Sequence, residues 1–173
     1  HARHPPPLFD GSGNQMLDVF KSRKMAALLL LGFSSGLPFY LTNRTLQTWL
    51  TVSGVNLTAI GLLSLASLPY SLKFLWSPLV DRYSFPFLGR RKGWLLVTQL
   101  CLVITICEMG FQRPAETLQL IALNAIAIAF FSATQDIVVD AYRADILERR
   151  ETGAGAGVAV LGYRIALIVS GAV

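Results

Sequence analysis

Charge is scarce in this chain: 14% of its 173 residues are Asp, Glu, Lys or Arg, and the mean hydropathy is +0.53. A water-facing surface on a domain of this size needs more charge, so the composition reads as that of a membrane protein. Cysteine is nearly absent. Cys101 and Cys107 lie six residues apart in one apolar segment, with no histidine nearby. That spacing excludes a zinc site and a disulfide framework, and both read as small buried apolar residues. Histidine is confined to His1 and His4 in the amino-terminal tail, which leaves no Ser/His/Asp or Cys/His catalytic set. Asp136 and Asp140 could be imagined as a metal pair, but two carboxylates one helical turn apart, without further ligands, are too few. No enzyme activity, no cofactor and no metal are therefore expected.

What is present is long apolar runs. Five can be marked: Met25 to Leu46, Leu57 to Leu79, Trp94 to Gln112, Leu118 to Ala141, and Gly155 to Val173. Each is near the roughly 20 residues that cross a hydrocarbon core as a helix. The expected fold class is an all-α integral membrane protein. The first run lacks a clear small-residue cleavage site and four more follow, so it is a span rather than a signal peptide. Residues 1–24, rich in Pro and Gly at their start, are expected to form a flexible cytoplasmic tail, with residues 25–173 forming the transmembrane bundle.

The placement of basic residues sets the orientation, because short cytoplasmic loops hold Lys and Arg. Arg3, Lys21, Arg23 and Lys24 precede the first span. Arg82, Arg90, Arg91 and Lys92 join the second and third, and Arg143, Arg149 and Arg150 join the fourth and fifth. On the opposite side only Arg113 is found. The amino terminus and both basic loops are thus expected inside. A topogenic loop also explains Gly89-Arg90-Arg91-Lys92 without a nucleic-acid partner.

Arg44, Lys73 and Arg164 remain inside apolar spans, where a charge is costly and marks a functional site or a buried pair. With a rise of about 1.5 Å per residue, Arg164 lies roughly 14 Å deep, near the midplane, Lys73 roughly 10 Å and Asp136 about 7 Å from the inner surface. Asp140 falls at that interface. Asp136 and Asp140 share one helix face, beside Thr134 and Gln135, and Arg143 follows where a cation suits the helix dipole. Two readings stand for these carboxylates: they pair with Lys73, Arg82 or Arg90 and pin span ends, or they face a cavity that binds substrate and relays protons. Two deep cations against one deep carboxylate make a net positive site, with Asp136 as the expected acidic partner of Arg164. Arg44, beside Thr42, Asn43 and Thr45, either snorkels outward or pairs with Glu108.

Gly153, Gly155 and Gly157 do not make a dinucleotide loop, since no strand precedes them. Small residues at Gly153 and Gly157, and at Ala154, Gly162 and Ala166, instead offer faces for close helix packing. Pro38 and Pro69 are expected to bend their helices.

Ser77-Pro78-Leu79-Val80-Asp81-Arg82-Tyr83, followed after residues 84–88 by Gly89-Arg90-Arg91-Lys92-Gly93, resembles the G-x-x-x-D-R-x-G-R-R signature of the major facilitator superfamily. Two departures are Ser77 in place of the signature's Gly and a loop lengthened by residues 84–88. The longer strings Lys73 to Tyr83 and Gly89 to Leu96 resemble the AmpG-type muropeptide permease branch. So do Ser35-Gly36-Leu37-Pro38 with Thr45 to Trp49, Ser132 to Ala141, and Gly153 to Gly157 with Val160 to Arg164.

The resemblance implies a major facilitator type bundle in the bacterial inner membrane that imports anhydro-muropeptides with protons for peptidoglycan recycling. It implies that five helices of an amino-terminal half are present and that a carboxy-terminal half is missing, so the fragment alone is not expected to be active. The partners implied are a small-molecule muropeptide, protons and the lipid bilayer, with no nucleic acid. On this reading Lys73, Arg164, Gln135 and Arg44 bind substrate, and Asp136 and Asp140 handle the proton. Asp81, Arg82, Arg90 and Arg91 form a cytoplasmic gate. Alternatives are a carrier of another anionic solute, such as acetyl-CoA or a sugar derivative, and a membrane scaffold or sensor that moves nothing.

Overall fold

The structure, a computed structural model, describes residues 22–83, 89–114, 116–149 and 151–171. The expected tail up to residue 21, the insertion 84–88, Arg150 and the side chain of Arg90 lie outside the described residues. The elements are α1 (Arg23–Tyr40), a π-helical turn (Leu41–Thr45), α2 (Leu46–Val52), α3 (Leu57–Leu63), α4 (Leu68–Leu72), α5 (Ser77–Arg82), α6 (Arg90–Gly110), α7 (Leu118–Ile146) and α8 (Thr152–Gly171). They supply five helices long and apolar enough to cross a membrane: Arg23–Val52, Leu57–Leu75, Arg91–Gly110, Leu118–Ile146 and Thr152–Gly171. The protein is an all-α, multi-pass membrane protein. Leu123, Val103 and Ile168 stand exposed on the outside, which suits a surface whose solvent is hydrocarbon.

The first span begins two residues earlier and ends six residues later than the apolar run predicts, at Arg23 and Val52. Ser22 caps it, its Oγ accepting from the Met25 N–H at 3.3 Å. Pro38 sits inside α1 and brings no N–H, and the helix widens into the π-turn just beyond it. Polar side chains take up the disturbed carbonyls: Thr42 Oγ1 donates to Pro38 O at 3.0 Å, and Asn43 Nδ2 donates to Phe39 O at 3.0 Å. A span that continues through this bend instead of ending at Leu46 follows.

The second span is not one helix. Two 3-10 turns, Ser64–Ser67 and Lys73–Leu75, interrupt it, with Pro69 and Pro78 in the first turns of the short helices that follow. Trp76 anchors this broken segment to α7, donating Nε1–H to Thr134 Oγ1 at 3.1 Å and packing on Phe130 with ring centroids 5.0 Å apart. Helix α7 is the centre of the bundle. Ile121, Ala125, Ala133 and Val138 are fully buried along it, while α6 lies on one side and the second span on another.

Helices α1 and α8 run in the same direction and cross at very short range. A Cβ on Gly32 would overlap the Ala159 carbonyl, and one on Gly162 would overlap the Leu29 carbonyl. The small residues that make this contact are Gly155, Ala159, Gly162 and Ala166, all buried. Gly153 and Gly157, expected on a packing face, are exposed with no neighbour in reach. Cys107 is exposed and Cys101 half-buried, so the expectation that both are buried is corrected. On an outer helix of the bundle, apolar residues face lipid as readily as protein.

At the α1/α8 entry Lys24 Nζ lies 3.4 Å from Glu151 Oε2, and the Glu148 N–H donates to the same oxygen at 3.2 Å. The backbone N–H, with Lys24 beside it, holds the Glu151 carboxyl below the usual carboxylate range. A depressed folded-state value stabilises above the unfolded value and is lost as pH falls through the folded one. Glu151→Gln is accordingly expected to lower the melting temperature near neutral pH and to leave it unchanged in strong acid. An equal loss at both pH values in a thermal scan would refute the assignment.

Candidate functional site

Helix α7 carries Asp136 into a cavity of about 200 Å³ between α1, α7, α8 and the Lys73 turn. Ser35, Lys73, Asp140, Arg143 and Tyr163 complete its polar wall. Lys73, Asp140 and Arg143 are the charged groups that share this cavity with Asp136. Small residues open the space: Gly32 and Ala159, where the α1 and α8 backbones touch, form part of the lining. Asp140 is exposed and held by Arg143 on its own helix, Nη2 to Oδ1 3.1 Å, and among the described residues neither Lys73 nor Arg82 pairs with it as one sequence reading has it; the Arg90 side chain lies outside them.

A second cavity of about 300 Å³ opens alongside, bounded by Ser77, Asp81, Ile137 and Ala141. It shares Lys73 and Asp140 with the first. Lys73 thus sits in the partition between two polar spaces. Among the described residues no carboxylate closes an ion pair with it.

Arg91 holds the outer cavity's rim. Its Nη1 meets Asp81 Oδ1 at 2.5 Å and its Nε meets Asp145 Oδ2 at 3.1 Å, so one guanidinium ties α5, α6 and α7 together. Asp145 has no apolar context and no motif to mark it, and only the fold brings it to Arg91. Both carboxylates are about half exposed, so the pairs add little stability; their value is the geometry of a planar fork between two acids. Arg82 is exposed and outside this cluster among the described residues.

Two expected placements are corrected. Arg164 does not line the cavity of Asp136; it lies on the exposed face of α8, while its neighbour Tyr163 faces the cavity. One residue on a helix turns the side chain by about 100°, so depth along the axis does not fix direction. Gln135 is fully buried and faces a different cavity from Asp136. Its Nε2 donates to Ser34 Oγ at 2.8 Å, and Gln99 Nε2 donates to the same oxygen at 3.2 Å. These three residues line a separate cavity of about 300 Å³ between α1, α6 and α7. Arg44 is exposed on the π-turn and Glu108 exposed on α6, with no pair between them among the described residues.

Sequence reasoning missed Ser35 and Tyr163 as cavity walls. Each lies next to a residue that was singled out or quoted in a motif, and only the crossing of α1 with α8 shows which of the neighbours faces inward.

The family described as "Acetyl-coenzyme A transporter 1" matches residues 24–173. The chain is 52% identical over 158 residues to the anhydromuropeptide permease of Escherichia coli K12, covering 91% of this chain and 32% of that protein. It is 43% identical over 158 residues to an uncharacterized protein of Haemophilus influenzae, covering 91% and 37%. It is 37% identical over 157 residues to a putative transporter, AmpG 4, of Rickettsia felis, covering 89% and 38%. The chain spans about a third of the length of these curated relatives.

Proposed function

We propose, for a chain that belongs to the family described as acetyl-coenzyme A transporter 1, that its full-length protein imports anhydromuropeptides across a bacterial inner membrane together with protons, for peptidoglycan recycling. The observation that carries this reading is the cavity in which Asp136 and Lys73 face each other across a space lined by small residues. A carboxylate and an ammonium held apart in a low-dielectric setting can bind a proton and an anionic group in turn. On this reading Lys73 takes a ligand carboxylate, and Asp136, with Asp140 at the exposed end, passes the proton. Arg164, on the exposed face of α8 and outside that cavity, supplies a second cation for another anionic group of the ligand. Gln135 acts from behind by holding α7 to α1, and Arg44 meets solute at the opposite membrane face. Asp81 and Arg91, with Arg82 and Arg90, form the cytoplasmic gate. The excess of Lys and Arg in the loops at one end supports a cytoplasmic amino terminus.

A second reading, transport of acetyl-CoA, is favoured by the family description itself. Competition separates the two. In membrane vesicles bearing the full-length protein, unlabelled anhydromuropeptide is expected to suppress uptake of the labelled compound and acetyl-CoA is not. Suppression by acetyl-CoA alone would favour the second reading. Absence of uptake of either would favour a scaffold. Arg164→Ala is expected to weaken the apparent affinity for the muropeptide by about tenfold, the value of roughly 1.4 kcal/mol in binding. Unchanged uptake would remove Arg164 from the site.

A further inference from the structure

Resting on the reading that the cavity handles charge, we propose that Lys73 is a switch cation. The two cavities compete for its ammonium, so that neutralising Asp136 sends it toward Asp81 and loosens the Arg91 latch.

Four observations carry this. Lys73 lines both cavities, as Asp140 does, so its ammonium can reach either space without crossing an apolar barrier. It closes no ion pair among the described residues, whereas Asp140 and Asp81 are held by Arg143 and Arg91. It stands on the 3-10 turn Lys73–Leu75, a break inside a span, and such breaks often mark hinges. The turn is pinned on its cytoplasmic side by Trp76 to Thr134, so movement at Lys73 is a local rotation and not a sliding of the whole span.

The groups that face this lysine come from each element around it. Asp136, Asp140 and Arg143 come from α7, Asp81 from α5 and Tyr163 from α8. Tyr70 of α4 is a further titratable group within electrostatic range of Asp136. While Asp136 is ionised, it holds the ammonium in the deep cavity. Once a proton neutralises Asp136, the remaining attraction comes from Asp140 and Asp81. Asp81 is already bound to Arg91, so an arriving ammonium competes with the guanidinium for that carboxylate and weakens the tie to α6. Occupancy of the deep site is thereby read at the cytoplasmic rim.

The test places a thiol in the outer cavity of the full-length protein. Ser77→Cys is introduced with Cys101 and Cys107 replaced by alanine, and the rate of labelling by a membrane-impermeant maleimide is measured from the cytoplasmic side. Asp136→Asn is expected to raise that rate by about fivefold or more, the lower end of an ordinary coupling between two sites. Adding Lys73→Met is expected to return it to the starting value. An unchanged rate in Asp136→Asn, or a rise that survives Lys73→Met, would overturn the proposal. If Asp136→Asn does not accumulate in the membrane, acidification replaces it, with rates normalised to a free thiol. The rate should then rise in the parent and stay flat in Lys73→Met, and equal slopes would overturn the proposal. The readout needs no substrate. A protein that shows this pattern but moves no muropeptide refutes the transport reading alone, and uptake with labelling independent of Lys73 refutes the switch alone.

Discussion

Gly162→Ala is expected to destabilise the bundle by about 3 kcal/mol, the upper part of the usual range for overpacking, although it adds a single methyl group. The obstacle is the Leu29 carbonyl, and backbone cannot swing aside as a side-chain tip can. Gly32→Ala meets the Ala159 carbonyl in the same way and should cost a similar amount. Gly157→Ala supplies the contrast within the same helix. Nothing lies within reach of its added Cβ, so relief of glycine's conformational freedom should stabilise by about 0.5–1 kcal/mol. Thermal unfolding of the full-length protein in detergent reads all three. If Gly162→Ala and Gly157→Ala melt together, the short crossing of α1 and α8 is wrong.

The consequence is functional as well as structural. The α1/α8 crossing sets the width of the cavity that holds Asp136, because Gly32 and Ala159 belong both to the contact and to the cavity wall. A variant that pushes the helices apart enlarges the site and moves Ser35 and Tyr163 away from Asp136. Loss of stability and loss of function should therefore appear together at Gly32, and neither at Gly157.

How much of this was legible in the sequence depends on direction. Position along a span follows from residue count, so the five spans could be read from the apolar runs, and Lys73, Asp136 and Asp140, expected at similar depth, line one cavity. Azimuth around a helix axis depends on which partner it packs against, and no partner is written in a single chain. That is why Arg164 and Tyr163, or Gln135 and Asp136, could not be told apart, and why Gly153 and Gly157 were expected in the packing contact beside Gly162 and Ala166 while Gly155 and Ala159 were not. Pro38 and Pro69 announced bends, but the 3-10 turn at Lys73 has no proline within it and went unseen. Asp145 was invisible because its role exists only through Arg91, more than fifty residues away.

Asp136→Asn is expected to have the largest functional effect, lowering proton-driven uptake by about a hundredfold, near the upper end of what coupling between two sites supplies. Asn keeps the size and polarity of the side chain and removes only its ability to ionise. Packing against Ser35 and Tyr163 should survive, and with it the amount of folded protein in the membrane. Lys73→Met should also lose uptake, because the anionic ligand loses the cation that would hold it.

If Asp136 carries the proton that drives transport, removing its charge uncouples uptake from the pH gradient. The most direct measurement is uptake of labelled anhydromuropeptide by vesicles bearing full-length protein, with and without an imposed pH gradient, for the parent and for Asp136→Asn at equal membrane abundance. The account predicts gradient-stimulated uptake in the parent and no response to the gradient in the variant. A variant that still accumulates muropeptide in response to the gradient would contradict it.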